Sequence, residues 1–290
     1  MAKKVIVLGA NGMAGHVITI GLKTELQYEV ISVARSKSIV NPSVLMDVSD
    51  FASLSKLIKN TNADVIINCI GLLNEFAEKN PDQAILLNSY LPHFLESITK
   101  NTDTKIIHIS TDCVFSGKKG AYVEKSFKDG IGYYAQSKSL GELDNSKDLT
   151  FRTSIIGPEI NNNGIGLFHW FANQSVTING YTNVFWTGIT TIELLNAIKT
   201  AISENITGLY HLVNDEKISK FELIELFNEI FDKKLILNPY NEYRFNKSLI
   251  NTRTDFSFKV NSYKDMILEM KSWIDENKEL YPHYPTITNS

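Results

Sequence analysis

The fold of this chain is decided by the stretch VIVLGANGMAG, which occupies residues 5–15. Four apolar residues run directly into a glycine-rich turn, and Met13, Val17 and Ile20 follow at the spacing of one helix face. A strand that ends in such a turn and continues as a helix presents free backbone N–H groups and a partial positive charge to a phosphate. We therefore interpret this stretch as the first strand, loop and helix of a dinucleotide-binding site.

The glycines of this loop have different tasks in such a site. Gly9 lets the chain turn tightly, Gly12 lets the backbone approach a pyrophosphate, and Gly15 lets the helix pack close to the strand. Their spacing is G-x-x-G-x-x-G, and a tight turn without a ligand is the alternative interpretation. Because the loop begins a complete strand–helix–strand pattern, we favour the dinucleotide site and assign Asn11 and Met13 to it as well.

The segment after the second predicted strand indicates which dinucleotide binds. Residues 29–33 form that strand, and the sequence continues as Ala34-Arg35-Ser36-Lys37. An NAD site usually has an acidic residue here for the ribose 2′-hydroxyl, whereas a guanidinium can hold a 2′-phosphate through a forked hydrogen bond. We therefore predict NADP(H) as the preferred cofactor, held by Arg35 and Ser36, with NAD(H) as the alternative. A solvated surface arginine is the interpretation without a ligand.

Asp47 lies where the third segment of the pattern would reach the adenine of the dinucleotide. Its carboxylate can accept a hydrogen bond from the exocyclic amine of the base. It can equally cap a helix that begins near Ser49. The sequence does not distinguish these roles, and both stay open.

A tyrosine and a lysine one helical turn apart form the candidate catalytic pair. Tyr134 and Lys138 are four residues apart, which places them on the same face of a helix. An ammonium group near a phenol favours the phenolate, so we expect Lys138 to lower the pKa of Tyr134 from its ordinary value of about 10. Thr111 follows the apolar strand 106–109 and would project from its carboxyl end, where open α/β sheets bind ligands. With the glycine loop, these residues indicate proton transfer in a nicotinamide-dependent redox reaction.

Taken together, these motifs resemble the extended short-chain dehydrogenase/reductases, and more narrowly the dTDP-4-dehydrorhamnose reductase group of nucleotide-sugar reductases. The likeness extends from Lys3 to about Asp275 and is most specific as far as Ser154. The segments that carry it are residues 7–16, 68–71, 87–88, 109–117, 134–138, 141–142 and 152–154.

The resemblance implies roles for the matching positions. Thr111, Tyr134 and Lys138 would form the catalytic triad, and Lys138 would also hold the nicotinamide ribose. Arg152 would be structural or would lie near the nucleotide. Further residues on the cofactor side would be Asn68, Cys69 and Asn88.

Four residues are candidates for contact with the substrate. Cys113 stands where the family often has an aromatic residue, at a position near the sugar. Arg244 and Ser248 echo a C-terminal motif that contacts substrate in the family. Trp186 lies in a loop before a helix, where contact with the sugar and packing in the core are both open. Ile155 stands where the family often has a tryptophan, so the chemistry carries over better than the exact substrate does.

Alternating strands and helices in the first half predict a doubly wound parallel α/β sheet of the Rossmann type, with a smaller C-terminal α/β substrate lobe. Strands are predicted near residues 4–9, 29–34, 64–70, 104–110 and 150–156, and helices near residues 13–26, 50–60, 81–100 and 134–145. The dinucleotide-binding domain would comprise residues 1–156 and about 182–215, and the substrate lobe residues 157–181 and about 216–290.

Three local features complete this picture. Asn80 would cap the helix that begins at Pro81. The aromatic stretch 168–171 would pack in the core of the small lobe, with a stacking platform for a nucleotide base as the alternative. The tail 281–290 would be loose or packed only by its tyrosines.

Composition argues against several classes of partner. The 290 residues carry a formal net charge of −3, which indicates neither a nucleic acid nor an anionic membrane as a partner. No apolar run approaches the roughly 18 residues of a membrane span. The histidines show no metal-ligand spacing, and Cys69 and Cys113 are expected to be reduced thiols. We therefore expect a cytoplasmic monomer or homodimer that binds a nucleotide sugar and no metal.

The function that these features predict is NADPH-dependent reduction of the 4-keto group of a nucleotide-activated 6-deoxy sugar, for the synthesis of surface polysaccharide sugars. A nucleotide-sugar epimerase or dehydratase is the enzymatic alternative, and Arg35 and the lack of a second acid–base pair argue against it. A non-catalytic NADP-binding regulatory subunit is the alternative from another class. The intact set of Thr111, Tyr134 and Lys138 argues against that role.

Overall fold

A seven-stranded parallel sheet forms the centre of this protein. The structure is a computed structural model, and it describes residues 2–284. Its strands are β1 (Lys3–Leu8), β2 (Tyr28–Ala34), β3 (Val44–Leu45), β4 (Val65–Asn68), β5 (Lys105–Thr111), β6 (Leu149–Thr153), β7 (Ile155–Ile156), β8 (Thr177–Tyr181), β9 (Val184–Trp186), β10 (Ile189–Thr190), β11 (Gly208–His211), β12 (Ile218–Ser219), β13 (Ile236–Tyr240) and β14 (Phe245–Asn246). The order in the large sheet is β11-β6-β5-β4-β1-β2-β3, with all neighbours parallel. This order confirms the predicted doubly wound sheet, and its central strands are apolar because helices cover both faces.

Short strands outside the large sheet build the smaller lobe. Strand β7 pairs with β10, β8 pairs with β13, and β9 lies between β12 and β14. The predicted strand 150–156 divides into β6 and β7, which belong to different sheets. Most of the small-lobe strands have two or three residues, too few to show an alternating pattern in the sequence.

Ten α-helices accompany the sheets within residues 2–284. They are α1 (Met13–Lys23), α2 (Phe51–Thr61), α3 (Asn74–Lys79), α4 (Pro81–Ala84), α5 (Leu91–Thr99), α6 (Tyr133–Leu140), α7 (Leu167–Ala172), α8 (Thr191–Glu204), α9 (Lys220–Ile230) and α10 (Tyr263–Glu276). None of the described helices is long and apolar enough to cross a membrane. Helix α8 packs against α1, and β11 then joins the edge of the large sheet. The division into two domains stays our proposal.

The predicted helix 81–100 contains a π-helical turn, Ile85–Tyr90, between α4 and α5. Pro92 lacks the N–H that an α-helix would direct at the carbonyl of Asn88, and its ring would clash with that carbonyl. The wider π turn relieves this clash. The Asn88 carbonyl faces Gly141, where an added Cβ would lie 1.8 Å from the oxygen. Helix α6 therefore ends against the π turn at a residue without a side chain.

Two local expectations on helix ends and tail residues are tested by the structure. Asn80 does not cap α4, because its side chain donates to the carbonyl of Phe76 at 2.9 Å instead. Tyr281 and Tyr284 of the predicted tail are buried, while residues 285–290 lie outside the described residues.

Apolar side chains form a core on each face of the large sheet. The aromatic stretch 168–171 supplies Phe168 and Phe171 to the core that the sheet shares with the small lobe. Both phenylalanines are fully buried and confirm the predicted core role, whereas Trp170 of the same stretch is exposed. Phe227 of α9 packs edge-on against Phe168 with ring centres 5.5 Å apart, so this aromatic cluster joins the lobe to the sheet.

Arg152, on β6, forms a buried ion pair with Glu142. Its Nε donates to Oε1 of Glu142 at 2.8 Å, and its Nη2 donates to Oε2 at 2.6 Å. The hydroxyl of Ser110 donates to the same carboxylate at 2.7 Å, and Nη1 of Arg152 lies 2.8 Å from Nε2 of His211. Burial alone would raise the pKa of Glu142, but the hydrogen bonds and charge of Arg152 outweigh it and leave this pKa below its ordinary value. Of the two roles implied for Arg152, the structural one applies.

Replacing Arg152 by alanine should destabilise the fold strongly. Glu142 would stay buried without its main partner, and we expect the free energy of unfolding to fall by about 3–5 kcal/mol. The matched control is Lys264→Ala, which breaks an exposed ion pair with Glu229 and should change this free energy by less than about 1 kcal/mol. Urea unfolding followed by circular dichroism measures both variants. Equal losses would contradict the importance of the buried pair.

Candidate functional site

Two adjoining cavities open at the carboxyl ends of the central strands, the edge at which open α/β sheets bind ligands. The first, with a volume of about 420 Å³, is called the Tyr134 cavity after a residue of its wall. The second, of about 480 Å³, is called the Arg35 cavity. The residues that line both cavities are Gly12, Cys69, Ile70 and Gly71. The glycine loop therefore lies between the two cavities.

The geometry of the glycine loop fits a pyrophosphate. Gly9 has a φ of +85°, a backbone conformation that strains residues with side chains. An added Cβ on Gly15 would lie 2.0 Å from the Gly9 carbonyl oxygen, so helix α1 can pack here only with glycine. An added Cβ on Gly12 would touch only that same oxygen, at 3.3 Å, and would otherwise fill open space. The start of α1 thus offers its backbone to both cavities.

Arg35 is exposed on the wall of the Arg35 cavity, with Ser36 beside it. Within residues 2–284, the Arg35 guanidinium makes no hydrogen bond and no ion pair. Asp47 is the one acid among the residues that line this cavity. A free guanidinium at a cavity mouth suits an anionic group such as a phosphate.

Asp47 lines the Arg35 cavity and does not cap a helix. Its Oδ1 accepts hydrogen bonds from the N–H of Ser49 at 2.9 Å and from the Ser49 hydroxyl at 2.7 Å. These bonds hold the pKa of Asp47 below its ordinary value. Helix α2 begins at Phe51, and Asp50 caps it by accepting from the N–H of Ser53 at 3.1 Å. The capping alternative for Asp47 is therefore wrong, and adenine contact stays a prediction.

Asn11 ties the glycine loop to the segment that carries Arg35. Its Nδ2 donates to the carbonyl of Ser36 at 2.9 Å, and the Ser38 hydroxyl donates to its Oδ1 at 2.6 Å. Both ends of the Asn11 amide are therefore engaged, although the residue lines the Arg35 cavity. Met13, the first residue of α1, lines the Tyr134 cavity instead.

A chain of hydrogen bonds from the C-terminal region supports the glycine loop. Nε1 of Trp273 donates to the Tyr281 hydroxyl at 2.9 Å, and this hydroxyl lies 2.8 Å from Nε2 of His16. Nδ1 of His16 lies 2.9 Å from the Gly12 carbonyl oxygen. Burial lowers the pKa of His16 to about 4, so the ring is neutral at neutral pH. It then donates from Nδ1 to Gly12 and accepts from Tyr281 at Nε2.

The predicted catalytic residues come together on the wall of the Tyr134 cavity. Tyr134 and Lys138 lie on α6, and Thr111 ends β5. The hydroxyl of Thr111 accepts from the N–H of Cys113 at 3.1 Å and donates to Asp112 Oδ1 at 3.2 Å. It also interacts with the phenol of Tyr134. The three side chains therefore lie on the wall of the same cavity.

The protonation of Tyr134 differs from the expectation. Burial raises the pKa of Tyr134 above its ordinary value, and the interaction with the Thr111 hydroxyl offsets only part of this rise. We expected Lys138 to lower this pKa, but its Nζ donates to the carbonyl of Ile109 at 2.6 Å. Burial also lowers the pKa of Lys138 to about 8, because it disfavours the ammonium form. Tyr134 is therefore a phenol at neutral pH, ready to donate a proton.

Behind Lys138 lies a buried histidine that fixes the direction of its hydrogen bonds. Oδ1 of Asn68 accepts from the N–H of Ile70 at 3.1 Å, so Nδ2 of Asn68 is directed at Nδ1 of His108, also at 3.1 Å. Burial lowers the pKa of His108 well below its ordinary value, and the ring is neutral. Its proton is then on Nε2, which lies 3.3 Å from the Lys138 Nζ. This arrangement favours the neutral amine of Lys138.

Asn68 and Asn88 hold the walls of the cavities from behind. Neither residue is among those that line a cavity, and both are fully buried. Oδ1 of Asn88 accepts from the N–H of Leu72 at 2.8 Å, and its Nδ2 donates to the Leu72 carbonyl and to the Ser137 hydroxyl, both at 3.0 Å. Asn88 thus joins the loop after β4 to helix α6.

Of the four residues predicted to contact the substrate, only Cys113 lines a cavity. Cys113 lines the Tyr134 cavity, and burial raises the pKa of its thiol to about 11. Trp186 is buried in the core against Tyr263, with ring centres 5.8 Å apart, and lines neither cavity. Arg244 is exposed and lies on neither cavity wall. Ser248 is buried and lines neither cavity, and its hydroxyl accepts from the N–H of Ala121 at 2.9 Å.

Sequence reasoning missed the part of the small lobe that closes the Tyr134 cavity. Its lining residues there are Glu159, Ile165, Gly166 and Leu167. They follow β7 in a segment without a recognisable motif, and only the packing of α7 on the core brings them to the site. Among the described residues, no three His, Cys, Asp or Glu side chains are placed to hold a metal.

Known proteins with similar chains include both reductases and a subunit of another enzyme. The family model described as RmlD substrate binding domain matches residues 3–273. The chain is 25% identical over 246 residues to the probable low-salt glycan biosynthesis reductase Agl14 of Haloferax volcanii. This alignment covers 77% of this chain and 79% of that protein. It is 22% identical over 236 residues to methionine adenosyltransferase 2 subunit beta of Xenopus laevis. This alignment covers 77% of this chain and 70% of that protein.

Among solved structures, the dTDP-4-dehydrorhamnose reductase of Bacillus anthracis in complex with NADP is similar in fold. The two structures superpose with a TM-score of 0.79 at 21% identity, over 93% of this chain and 99% of that chain. The whole described architecture, including the small lobe, is therefore a known arrangement.

Removing the Tyr281 hydroxyl should weaken cofactor binding from a distance. In Tyr281→Phe, His16 loses the partner that orients it toward the Gly12 carbonyl, and the loop is held less rigidly. One such hydrogen bond is worth about 1 kcal/mol, so we expect the NADPH dissociation constant to rise about fivefold. Fluorescence titration with NADPH measures this change.

The matched control is Tyr210→Phe, which removes another buried hydroxyl, bonded to Asn251 at 2.6 Å and remote from both cavities. Both variants should lose similar thermal stability, whereas only Tyr281→Phe should bind NADPH less tightly. Unchanged NADPH affinity in Tyr281→Phe would exclude this support of the loop.

Proposed function

Because this chain belongs to the RmlD substrate binding domain family of extended short-chain dehydrogenase/reductases, we propose that it reduces the 4-keto group of a nucleotide-activated 6-deoxy sugar with NADPH. The observation that carries this proposal is the meeting of Thr111, Tyr134 and Lys138 on one cavity wall, beside the glycine loop. Similarity to a glycan biosynthesis reductase supports a step in the synthesis of polysaccharide sugars. Cytoplasmic location and a monomeric or homodimeric state stay predictions.

The residues of the Tyr134 cavity suit proton donation to a carbonyl oxygen. NADPH, when bound, supplies the hydride that the carbonyl carbon takes up. Tyr134 gives its phenolic proton to the carbonyl oxygen, which thereby becomes a hydroxyl, and its raised pKa keeps that proton available. Thr111 aligns the same oxygen by hydrogen bonding. Burial excludes water, which strengthens these contacts as negative charge develops on the oxygen.

The Arg35 cavity and the glycine loop suit the other half of the cofactor. The backbone of Gly9 and Gly12 would hold the pyrophosphate, and Lys138 would hold the nicotinamide ribose. The free guanidinium of Arg35 and the hydroxyl of Ser36 would take the 2′-phosphate, which supports NADPH over NADH. Asp47 would accept from the adenine amine with the oxygen that Ser49 leaves free.

A second candidate function is that of an NADP-binding regulatory subunit without catalysis. The observation in its favour is the similarity to methionine adenosyltransferase 2 subunit beta. The presence of a protonated Tyr134 next to Thr111 favours the reductase, because a subunit that only binds has no need of a proton donor. An epimerase or dehydratase is disfavoured by Arg35, which suits the 2′-phosphate of NADPH.

The direct test supplies NADPH and a panel of 4-keto-6-deoxy sugars linked to dTDP, UDP or GDP. The loss of NADPH absorbance measures its oxidation. The proposal expects turnover with at least one member of the panel. Tight NADPH binding without turnover of any sugar would favour the regulatory subunit instead.

Replacing Tyr134 by phenylalanine should remove the proton donor and little else. We expect turnover to fall by roughly two to four orders of magnitude, the usual share of general acid catalysis, with little change in NADPH affinity. The matched control is Tyr133→Phe, since Tyr133 is the half-exposed neighbour on the same helix and lines neither cavity. Steady-state kinetics measure both variants, and near-normal turnover in Tyr134→Phe would remove this residue from the mechanism.

Replacing Arg35 by alanine should weaken NADPH binding selectively. A charge-assisted contact to the 2′-phosphate is worth about 1.5–3 kcal/mol, so the NADPH dissociation constant should rise by roughly one to two orders of magnitude. NADH binding should stay nearly unchanged. Because Lys37 is close enough in sequence to share the phosphate, Arg35→Ala with Lys37→Ala should show the full loss.

Fluorescence titration of both cofactors measures these changes, with Arg244→Ala as the control for an exposed arginine away from the cavities. If the unmodified protein binds NADH as tightly as NADPH, the assignment of Arg35 is wrong, although the reductase function could still hold.

A further inference from the structure

One segment of the small lobe lines both cavities of the candidate site. Residues 159–166 lie between β7 and α7, and the two ends of this segment line the Tyr134 cavity through Glu159 and Gly166. Asn161, between these ends, lines the Arg35 cavity. Every other described residue on the wall of the Arg35 cavity precedes α5 in the chain. Residues 159–166 therefore reach from one cavity into the other, and we call them the clasp.

Hydrogen bonds hold the two ends of the clasp together. Oε1 of Glu159 accepts from the N–H of Gly166 at 2.7 Å. The carbonyl of Asn161 accepts from the N–H of Gly164 at 3.1 Å. At the start of the clasp, the N–H of Glu159 donates to the hydroxyl of Tyr284 at 3.3 Å. The clasp is therefore a closed loop that is anchored to the C-terminal region.

The clasp also contacts the helix whose first turn adjoins both cavities. An added Cβ on Gly166 would lie 3.4 Å from Sδ of Met13, the first residue of α1. The same Cβ would lie 2.8 Å from Oε1 of Glu159, so a side chain at position 166 would push this carboxylate aside. The clasp therefore lies beside the start of α1, where a dinucleotide that fills both cavities has to pass between them.

The side chain of Asn161 has a free hydrogen-bond donor. Its Oδ1 accepts from the N–H of Asn163 at 3.0 Å, which fixes the direction of the amide group. Within residues 2–284, Nδ2 of Asn161 donates to no other group. The residue is exposed on the wall of the Arg35 cavity, where the one acid is Asp47. A free N–H donor in this position suits an oxygen of a phosphate.

We propose that the clasp holds the cofactor from the small lobe, with Nδ2 of Asn161 donating to an oxygen of the pyrophosphate. Because the glycine loop lies between the two cavities, a dinucleotide that spans them has its pyrophosphate there. The clasp enters the Arg35 cavity from this side, and not from the side of Asp47. Glu159 is a positioning residue, since its hydrogen bond to Gly166 keeps the clasp closed. This inference rests on the cofactor that the proposed function assigns.

The test measures the binding of NADPH, NADH and 2′-AMP by calorimetric titration, without any turnover. The last of these probes carries the 2′-phosphate of NADPH but has no pyrophosphate. Asn161→Asp is the sharpest variant, because its carboxylate still accepts from the N–H of Asn163 and only the donor is replaced, by an oxygen that repels phosphate. The matched control is Asn162→Asp, which adds the same charge at an exposed neighbour that lines neither cavity.

Asn161→Asp should bind NADPH and NADH more weakly by the same factor, about tenfold, because both cofactors carry the pyrophosphate. Its affinity for 2′-AMP should stay nearly unchanged, which also shows that the variant is folded. Asn162→Asp should bind all three probes nearly as the unmodified protein does. Arg35→Ala should give a different pattern, with weaker binding of NADPH and 2′-AMP and unchanged binding of NADH.

Glu159→Ala tests whether the closed clasp positions Asn161. This variant removes the acceptor of the Gly166 N–H and should weaken NADPH and NADH equally, by about fivefold. Glu159→Gln keeps an oxygen that can accept from Gly166 and should restore most of the affinity. Restoration by glutamine shows that the hydrogen bond, and not the negative charge of Glu159, supports cofactor binding.

Unchanged binding of NADPH and NADH in Asn161→Asp overturns the proposal. Selective loss of NADPH, or an equal loss of 2′-AMP, overturns the assignment of Asn161 to the pyrophosphate. Failure of the proposed function gives a different result, since a protein whose clasp variants lose both dinucleotides but that oxidises NADPH with no keto sugar keeps the clasp and loses the reductase. If the unmodified protein binds neither dinucleotide, the clasp is overturned together with the cofactor assignment.

Discussion

Helix α1 lies so close to the end of β1 that no side chain fits between them, and the functional site depends on this constraint. An added Cβ on Gly15 would be 2.0 Å from the Gly9 carbonyl oxygen. Because the helix packs there, its first turn lies between the two cavities, and Gly12 forms part of both walls. His16 can then reach back to the Gly12 carbonyl and join the loop to the C-terminal region. A larger residue at position 15 would displace all of these groups together.

Burial, more than any ion pair, decides the charge of the catalytic groups. It raises the pKa of Tyr134 and lowers those of Lys138 and His108, so each group is shifted toward its neutral form. The hydrogen bonds of Asn68 agree with this state, because they place the His108 proton on the side of the lysine. The wall of the Tyr134 cavity thus combines a protonated phenol with groups behind it that burial shifts toward their neutral forms.

The large sheet and the catalytic set were predictable because both follow from local rules. Its strands are apolar runs that alternate with helices. Residues four apart share a helix face, which relates Tyr134 to Lys138, and the carboxyl end of β5 places Thr111 at the ligand-binding edge of the sheet. Sequence reasoning failed where contacts with distant segments of the chain determine the direction or the position of a side chain. The direction of the Lys138 amine is set by β5, and packing of the small lobe decides that Trp186 lies in the core, one of the two alternatives left open for it. No local pattern in the sequence contains that information.

The bond between Tyr281 and His16 also orders events during synthesis of the protein. The ribosome completes every strand of the large sheet before it reaches residue 281, so the domain can begin to fold with its glycine loop still unsupported on one side. The loop gains its last hydrogen bonds only when the chain near Tyr281 has emerged and packed against α1. A nascent chain would therefore pass through a stage in which the sheet is formed and the glycine loop lacks this support. Because the missing support is worth only about fivefold in affinity, such a chain would bind the proposed cofactor somewhat less tightly than the finished protein does.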